Sequence, residues 1–202
     1  MRQLLILIFT VLVFQSAYGK GKTEYNILDF GAVPDGKTMN TESIQQAVDE
    51  CAAEGGGTVI FPAGTFLSGT IVLKDNVVLY FMPGSKLLGS SSIDDYPQNM
   101  PEEKLSKALI YARDVKNIGV TGYGTLDGQA KYFQGKKGMS RPFILKFVEC
   151  ENVTVSGVTL QHPGFWTQHY YKCDGVILRD LKVFAHGAEN NDMIDIDQSS
   201  NV

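Results

Sequence analysis

The sequence predicts an all-β fold in which short parallel strands wind into a β-helix behind a single helix. Three observations predict it. The segment Cys150–Leu160 repeats as Cys173–Val183 at an offset of 23 residues, with Val153 over Val176, Val155 over Leu178, Val158 over Leu181 and Leu160 over Val183. Apolar residues after position 58 alternate with period two, as on strands with one buried face. Only one segment of the mature chain carries a clear helical period. A strand unit near 23 residues buries its apolar face only by stacking on the next, about 4.8 Å away, and this makes a parallel β-helix. A leucine-rich repeat would need a Leu/Asn consensus that is absent here.

From the N-terminus, Met1-Arg2, the apolar run Leu4–Phe14 and the small-x-small site Ala17-Tyr18-Gly19 read as a cleaved secretory signal over residues 1–19. The run is too short to span a bilayer. Residues 20–202 are expected to form one β-helix domain, secreted or periplasmic, with no stable membrane insertion. Pro34-Asp35-Gly36 reads as a turn. Asn40 or Thr41 is positioned to cap a helix over about 41–54, whose stripe Ile44, Ala47, Val48, Cys51 and Ala52 is expected to face the core. Gly55-Gly56-Gly57 ends it. Strands are expected at 58–61, 65–67, 70–73 and 77–81, and a long polar surface loop at 89–107.

A looser copy of the repeat lies at Val115–Val120, and another begins at Asn201-Val202. Asn117, Asn152 and Asn201 suit the bends between strands, because asparagine tolerates left-handed backbone. Cys150 and Cys173 are expected to neighbour each other in adjacent coils, either bonded or as stacked buried thiols. Cys51 belongs to the buried helix face. A net charge of −4 and a pI near 5.4 exclude a general nucleic-acid binder, which would carry a basic stripe.

The chemistry concentrates in Asn190-Asn191-Asp192-Met193-Ile194-Asp195-Ile196-Asp197. Ile194 and Ile196 are expected to face the core, with Asp195 and Asp197 outward. Strand parity would bury Asp192, so a bend at 190–192 is expected to swing it outward. The residues alone leave three readings: a metal site, a carboxylate pair, or a solvated acidic face. Asp195 and Asp197 lie about 6.7 Å apart by strand rise. That falls in the window for inverting glycosidases, which need about 6.5–9.5 Å. An exposed strand face offers little desolvation to protonate one of them. No histidine pair has metal-ligand spacing, and no cofactor is expected.

The chain resembles glycoside hydrolase family 28, the polygalacturonases and their relatives. The resemblance rests on Asn26–Ala32 with Asp35-Gly36, Gly55–Val59 with Phe61–Gly64, Gly122–Gly128, Arg141-Pro142, Trp166-Thr167-Gln168-His169 and Asn190–Asp195. It implies a right-handed parallel β-helix that hydrolyses pectic α-galacturonide chains with inversion, acting as a monomer when full length. It assigns Asp192 to water activation and Asp195 to supporting the site. Asn190, His169 and Trp166 are the substrate-binding candidates; from the residues alone, packing between coil and loop is the favoured reading of His169 and an equal alternative for Trp166. Asn191 stands where the family has Thr, and Met193 where Gly is common. The family's Asp-Asp, Gly-His-Gly and Arg-x-Lys motifs are not in the chain, so it is expected to be the N-terminal half of a longer enzyme. A calcium-dependent lyase using Asp192, Asp195 and Asp197, and a non-catalytic carbohydrate-binding β-helix, are the competing readings.

Overall fold

The computed structural model describes residues 22–97, 107–136, 140–189 and 191–202. The expected signal segment at 1–19 and Asn190 lie outside them. Three parallel sheets form the faces of a triangular coil. Sheet A holds β1 (Glu24–Asn26), β3 (Gly57–Phe61), β6 (Val77–Phe81), β9 (Lys116–Gly122), β12 (Glu151–Ser156) and β15 (Asp174–Arg179). Sheet B holds β2 (Asp35–Met39), β4 (Gly64–Ser68), β7 (Ser85–Gly89), β10 (Thr125–Asp127), β13 (Thr159–Gln161) and β16 (Lys182–Phe184). Sheet C holds β5 (Ile71–Val72), β8 (Ala108–Arg113), β11 (Phe143–Val148), β14 (Gln168–Tyr171) and β17 (Asp195–Asp197). The chain visits C, A and B in turn, and every connection between successive strands of one sheet is a parallel crossover. The handedness is the right-handed one that twisted strands impose.

The predicted stacking register is the observed one. Val153 pairs with Val176, Val155 with Leu178, and Leu160 with Val183. The earlier coils obscure this repeat because residues are inserted at the corner between sheets B and C. There the links from β7 to β8 and from β10 to β11 are the long ones.

Inside the coil, apolar residues stack rung upon rung. Phe61 lies on Phe81 with ring centroids 4.3 Å apart, and Phe147 meets Tyr170 at 5.7 Å. The helix α1 (Thr41–Ala53) closes the first coil, burying Ile44, Ala47, Val48 and Cys51. Burial pushes the Cys51 thiol up to about 11, so it stays protonated. Asn40 occupies the N-cap, as expected, but its side chain makes no capping hydrogen bond. The Asn40 amide turns back to the Val33 amide and the carbonyls of Thr38 and Leu67, and the Thr41 hydroxyl accepts from the Gly69 amide. Both side chains pin the helix start to sheet B.

An asparagine ladder marks the corner entering sheet A. Asn76, Asn117, Asn152 and Asn201 all have left-handed backbone, and the Nδ2 groups of Asn117 and Asn152 donate to Asn76 and Asn117 at 2.8 and 3.1 Å. Gly175 interrupts it. Cys150 and Cys173 are neighbours as expected, and all three cysteines are free thiols. A shared hydrogen bond with Cys173 and burial push the Cys150 thiol up.

Three expectations need refinement or correction. Pro34-Asp35-Gly36 turns as expected, with the Asp35 carboxylate accepting from the Lys37 and Thr38 amides, but the turn falls within β2, whose pairing with β4 is irregular between Asp35 and Met39. The expected surface loop at 89–107 contains a 3-10 turn at Ile93–Asp95 and a fully buried Tyr96, whose hydroxyl donates to the Ser90 carbonyl. Ile194 and Ile196 are about half exposed. Ile196 stands in the inward column above Tyr170, so its direction is as expected. Its exposure follows because, among the described residues, nothing stacks on the outer edge of β17.

Candidate active site

The outward face of sheet C carries a continuous column of unusual side chains. The strand register places Tyr111, Lys146, His169 and Asp195 one above another on β8, β11, β14 and β17. Parity along each strand turns them away from the core, yet Lys146 is only 1% exposed and His169 only 7%. The covering is aromatic. Phe143 lies nearly parallel to the His169 ring at 5.8 Å, Trp166 meets it edge-on at 5.5 Å, and Tyr171 lies at 6.1 Å. Trp166 itself is stacked on Phe165 at 5.0 Å and is half-buried.

Lys146 faces His169 across one rung, with Nζ 3.2 Å from Nδ1. A lysine ammonium has three donors and no acceptor. The imidazole Nδ1 must therefore accept, and the ring carries its proton on Nε2. That nitrogen lies 3.6 Å from Oδ2 of Asp195. The column thus presents a cation, a neutral imidazole of defined tautomer and a carboxylate in sequence.

Asp195 departs from expectation in a way that matters. Its side chain is two-thirds buried, and burial, then the nearby Asp192 and Asp197 charges, hold its pKa above the ordinary carboxylate value, with Lys146 opposing. An outward strand face was not expected to supply this desolvation. Asp197 is exposed, as expected. Asp192 is exposed too, with its carbonyl accepting from the Thr167 amide at 2.8 Å and a bend following at Met193. The exposure of Asp192 is as expected, while Asn190 of the expected bend lies outside the described residues.

The corner leading to Asp192 is held by Arg141. This residue is 6% exposed, lies over the Phe165 ring with Cζ 4.3 Å from its centroid, and donates from Nη1 to the Glu189 carbonyl. Burial lowers its pKa. The Asn191 amide donates to the Pro163 carbonyl at 3.3 Å. Together they tie segment 189–192 to the preceding coil.

Of the sequence-derived candidates, the structure brings Asp192, Asp195 and His169 to one place, with Trp166 against His169. Sequence reading missed Lys146. Its signal was a lone lysine within the apolar strand Phe143–Val148, a position that otherwise calls for an apolar residue. Among the described residues, no three histidine, cysteine or acidic side chains converge to hold a metal ion, and no helix is long and apolar enough to cross a membrane.

Residues 25–191 match the profile of a protein family described as rhamnogalacturonase A/epimerase, pectate lyase-like. A probable polygalacturonase of Vitis vinifera is 27% identical over 87% of this chain and 40% of its own length. A family 28 exopolygalacturonase of Yersinia enterocolitica superposes with a TM-score of 0.76 at 28% identity, covering 88% of this chain and 41% of the other. A Parabacteroides merdae protein assigned to the glycosyl hydrolases superposes with a TM-score of 0.79 at 31% identity, covering 87% of this chain and 80% of the other. The chain thus spans well under half the length of the grape and Yersinia polygalacturonases.

Proposed function

The chain belongs to the rhamnogalacturonase A/epimerase, pectate lyase-like family, and from that membership we propose that it supplies the water-activating side of a pectin-degrading glycoside hydrolase that cleaves α-galacturonide links with inversion. The observation that carries this reading is the outward cluster of Asp192, Asp195 and His169 on sheet C. In this reading Asp192, exposed at the strand entry, accepts the proton of the attacking water. Asp195 stands behind it, its charge oriented by the Nε2 proton of His169. Inversion needs a second, protonated carboxyl across the scissile bond. Such a group belongs on a rung stacked against β17, whose outer edge is open here. Trp166 and Asn190 contribute to holding the sugar chain. Residues 1–19 direct export, so the protein meets its pectic substrate outside the cytoplasm.

The test is release of reducing ends from polygalacturonate, with NMR detection of the first-formed anomer. Protein that carries the rung stacked on β17 is expected to form the inverted anomer, and Asp192→Asn to lower its kcat by about 10²–10⁴-fold. The 202-residue chain alone is expected to bind oligogalacturonides without cutting them. Unsaturated products that absorb in the ultraviolet and need calcium would replace this reading with an eliminase.

A further inference from the structure

A cavity of about 310 Å³ opens at the corner that follows sheet B, lined by Asp127, Gln129, Lys131, Gln134, His162 and Gly187 among others. None of these residues belongs to the Lys146–His169–Asp195 column. Its size is at the lower end of small-ligand pockets and accommodates one sugar ring.

Asp127 anchors the cavity. It is 9% exposed, and its carboxylate accepts from the Gln129 amide at 3.0 Å and from Nε2 of Gln161 at 2.8 Å. Nδ1 of His162 lies 3.2 Å from the same carboxylate. A carboxylate is an acceptor only, so Nδ1 carries a proton and donates to it, and Nε2 is the ring's other polar edge. The His162 side chain is 40% exposed and packs edge-on against His186 at 5.1 Å, which stands against Phe184 at 6.4 Å. Gln134 donates to the Gly187 carbonyl at 2.6 Å and closes one rim. Gly128, next to Asp127, leaves no room for a side chain, because a Cβ there would sit 2.7 Å from the His162 carbonyl oxygen.

The polar chemistry is therefore specific. The carboxylate is already engaged by three donors, and the lining charges, Asp127 and Lys131, balance. What remains is the Nε2 edge of an imidazole, beside amide groups and the Lys131 ammonium. That combination suits a hydroxyl-bearing ring, and the charge of the buried Asp127 carboxylate disfavours a second carboxylate beside it.

We propose that this cavity is a second carbohydrate site, which seats one neutral pyranose unit through a hydroxyl hydrogen-bonded to His162 Nε2, with Asp127 holding the imidazole in place through Nδ1. It stands apart from the hydrolysis reading, since none of its residues is assigned a role in bond cleavage.

The test titrates the 202-residue chain with L-rhamnose, D-galactose and D-galacturonate, following the histidine ring signals by NMR. The neutral sugars are expected to shift the His162 signals saturably, and His162→Phe to weaken that binding roughly tenfold, the worth of one lost hydrogen bond. Asp192→Asn is expected to leave it unchanged, which separates this site from the sheet C cluster. Gln134→Ala, on the exposed rim, is the second variant, with a smaller weakening, should circular dichroism show His162→Phe unfolded. Binding of galacturonate in preference to the neutral sugars, neutral-sugar binding indifferent to both variants, or no saturable shift would each overturn the proposal.

Discussion

The two faces of sheet C share one backbone and one register but do opposite things with it. Inward, Ala112, Phe147, Tyr170 and Ile196 form an apolar column. Outward, one residue along each strand, Tyr111, Lys146, His169 and Asp195 form a polar one. Both columns are largely buried up to the last rung, so burial does not distinguish core from candidate site. The kind of neighbour does. The inner column is stabilised chiefly by apolar contact, with one hydrogen bond from the Tyr170 hydroxyl to Gln168, whereas the outer one holds a cation, an imidazole and a carboxylate, and burial there raises the proton affinity of Asp195. A β-helix extends any side-chain choice into a stacked row, and a row of ionisable groups becomes an ordered chain of donors and acceptors.

The sharpest way to break this comparison is to remove one member of each column. Phe147→Ala, which empties a fully buried ring from the inner column, is expected to cost about 3–5 kcal/mol, measured by urea unfolding. Lys146→Ala should cost less, about 1–3 kcal/mol, from the acceptor it leaves unserved on His169. It should also redistribute the His169 proton between the two ring nitrogens, readable in 15N NMR, with Lys146→Arg restoring the Nε2–H form. An unfolding cost for Lys146→Ala equal to that of Phe147→Ala, with the tautomer unmoved, would mean that the outer column is merely more core.

The asparagine ladder tests whether a polar row at a corner behaves like either column. Asn117 donates to Asn76 and accepts from Asn152 in left-handed backbone. Asn117→Ala is expected to cost about 1–2 kcal/mol, chiefly backbone strain, and Asn117→Gly less than that. Equal losses in the two variants would assign the cost to the side-chain hydrogen bonds instead.

The smallest effect sharpens the comparison through pH. Because the folded protein holds the Asp195 proton more tightly than the unfolded chain does, its contribution to stability is full below the unfolded carboxylate pKa. That contribution is lost as pH rises through the raised folded value. Asp195→Asn is therefore expected to match the wild type in acid and to be slightly more stable at neutral pH, in parallel thermal melts. Asp174 has the opposite sign, because hydrogen bonds from Ser200 and Asn201 lower its pKa. Its stabilisation is present above the unfolded pKa and fades as pH falls through the folded one. Asp174→Asn should accordingly be less stable than wild type at neutral pH and converge with it in acid.

Much of the fold was legible residue by residue. Alternation and the 23-residue offset suffice for the pairing of Val153 with Val176 and Leu160 with Val183, because period-two burial tolerates no slip of one residue. The asparagines at 117, 152 and 201 announced the corners. The candidate site was legible only in part. Asp192 and Asp195 stood out by composition, whereas Lys146 looked like an ordinary charge in a strand. Tyr96, inside a polar stretch, gave no periodic signal of its burial, and the functions of Asn40 and Thr41 depended on strands far along the chain.

By itself, then, the order of apolar and polar residues determined the coil, its register, its one helix and the direction in which Asp195 points, since these follow from local periodicity. Only the tertiary structure decided that an outward face would be buried, that Lys146 would set the proton on His169, and that Asp127 and His162, 35 residues apart, would meet at a cavity. Those outcomes depend on which side chains the coil stacks and which corner segments cover them, and electrostatic environment is a property of that assembled neighbourhood.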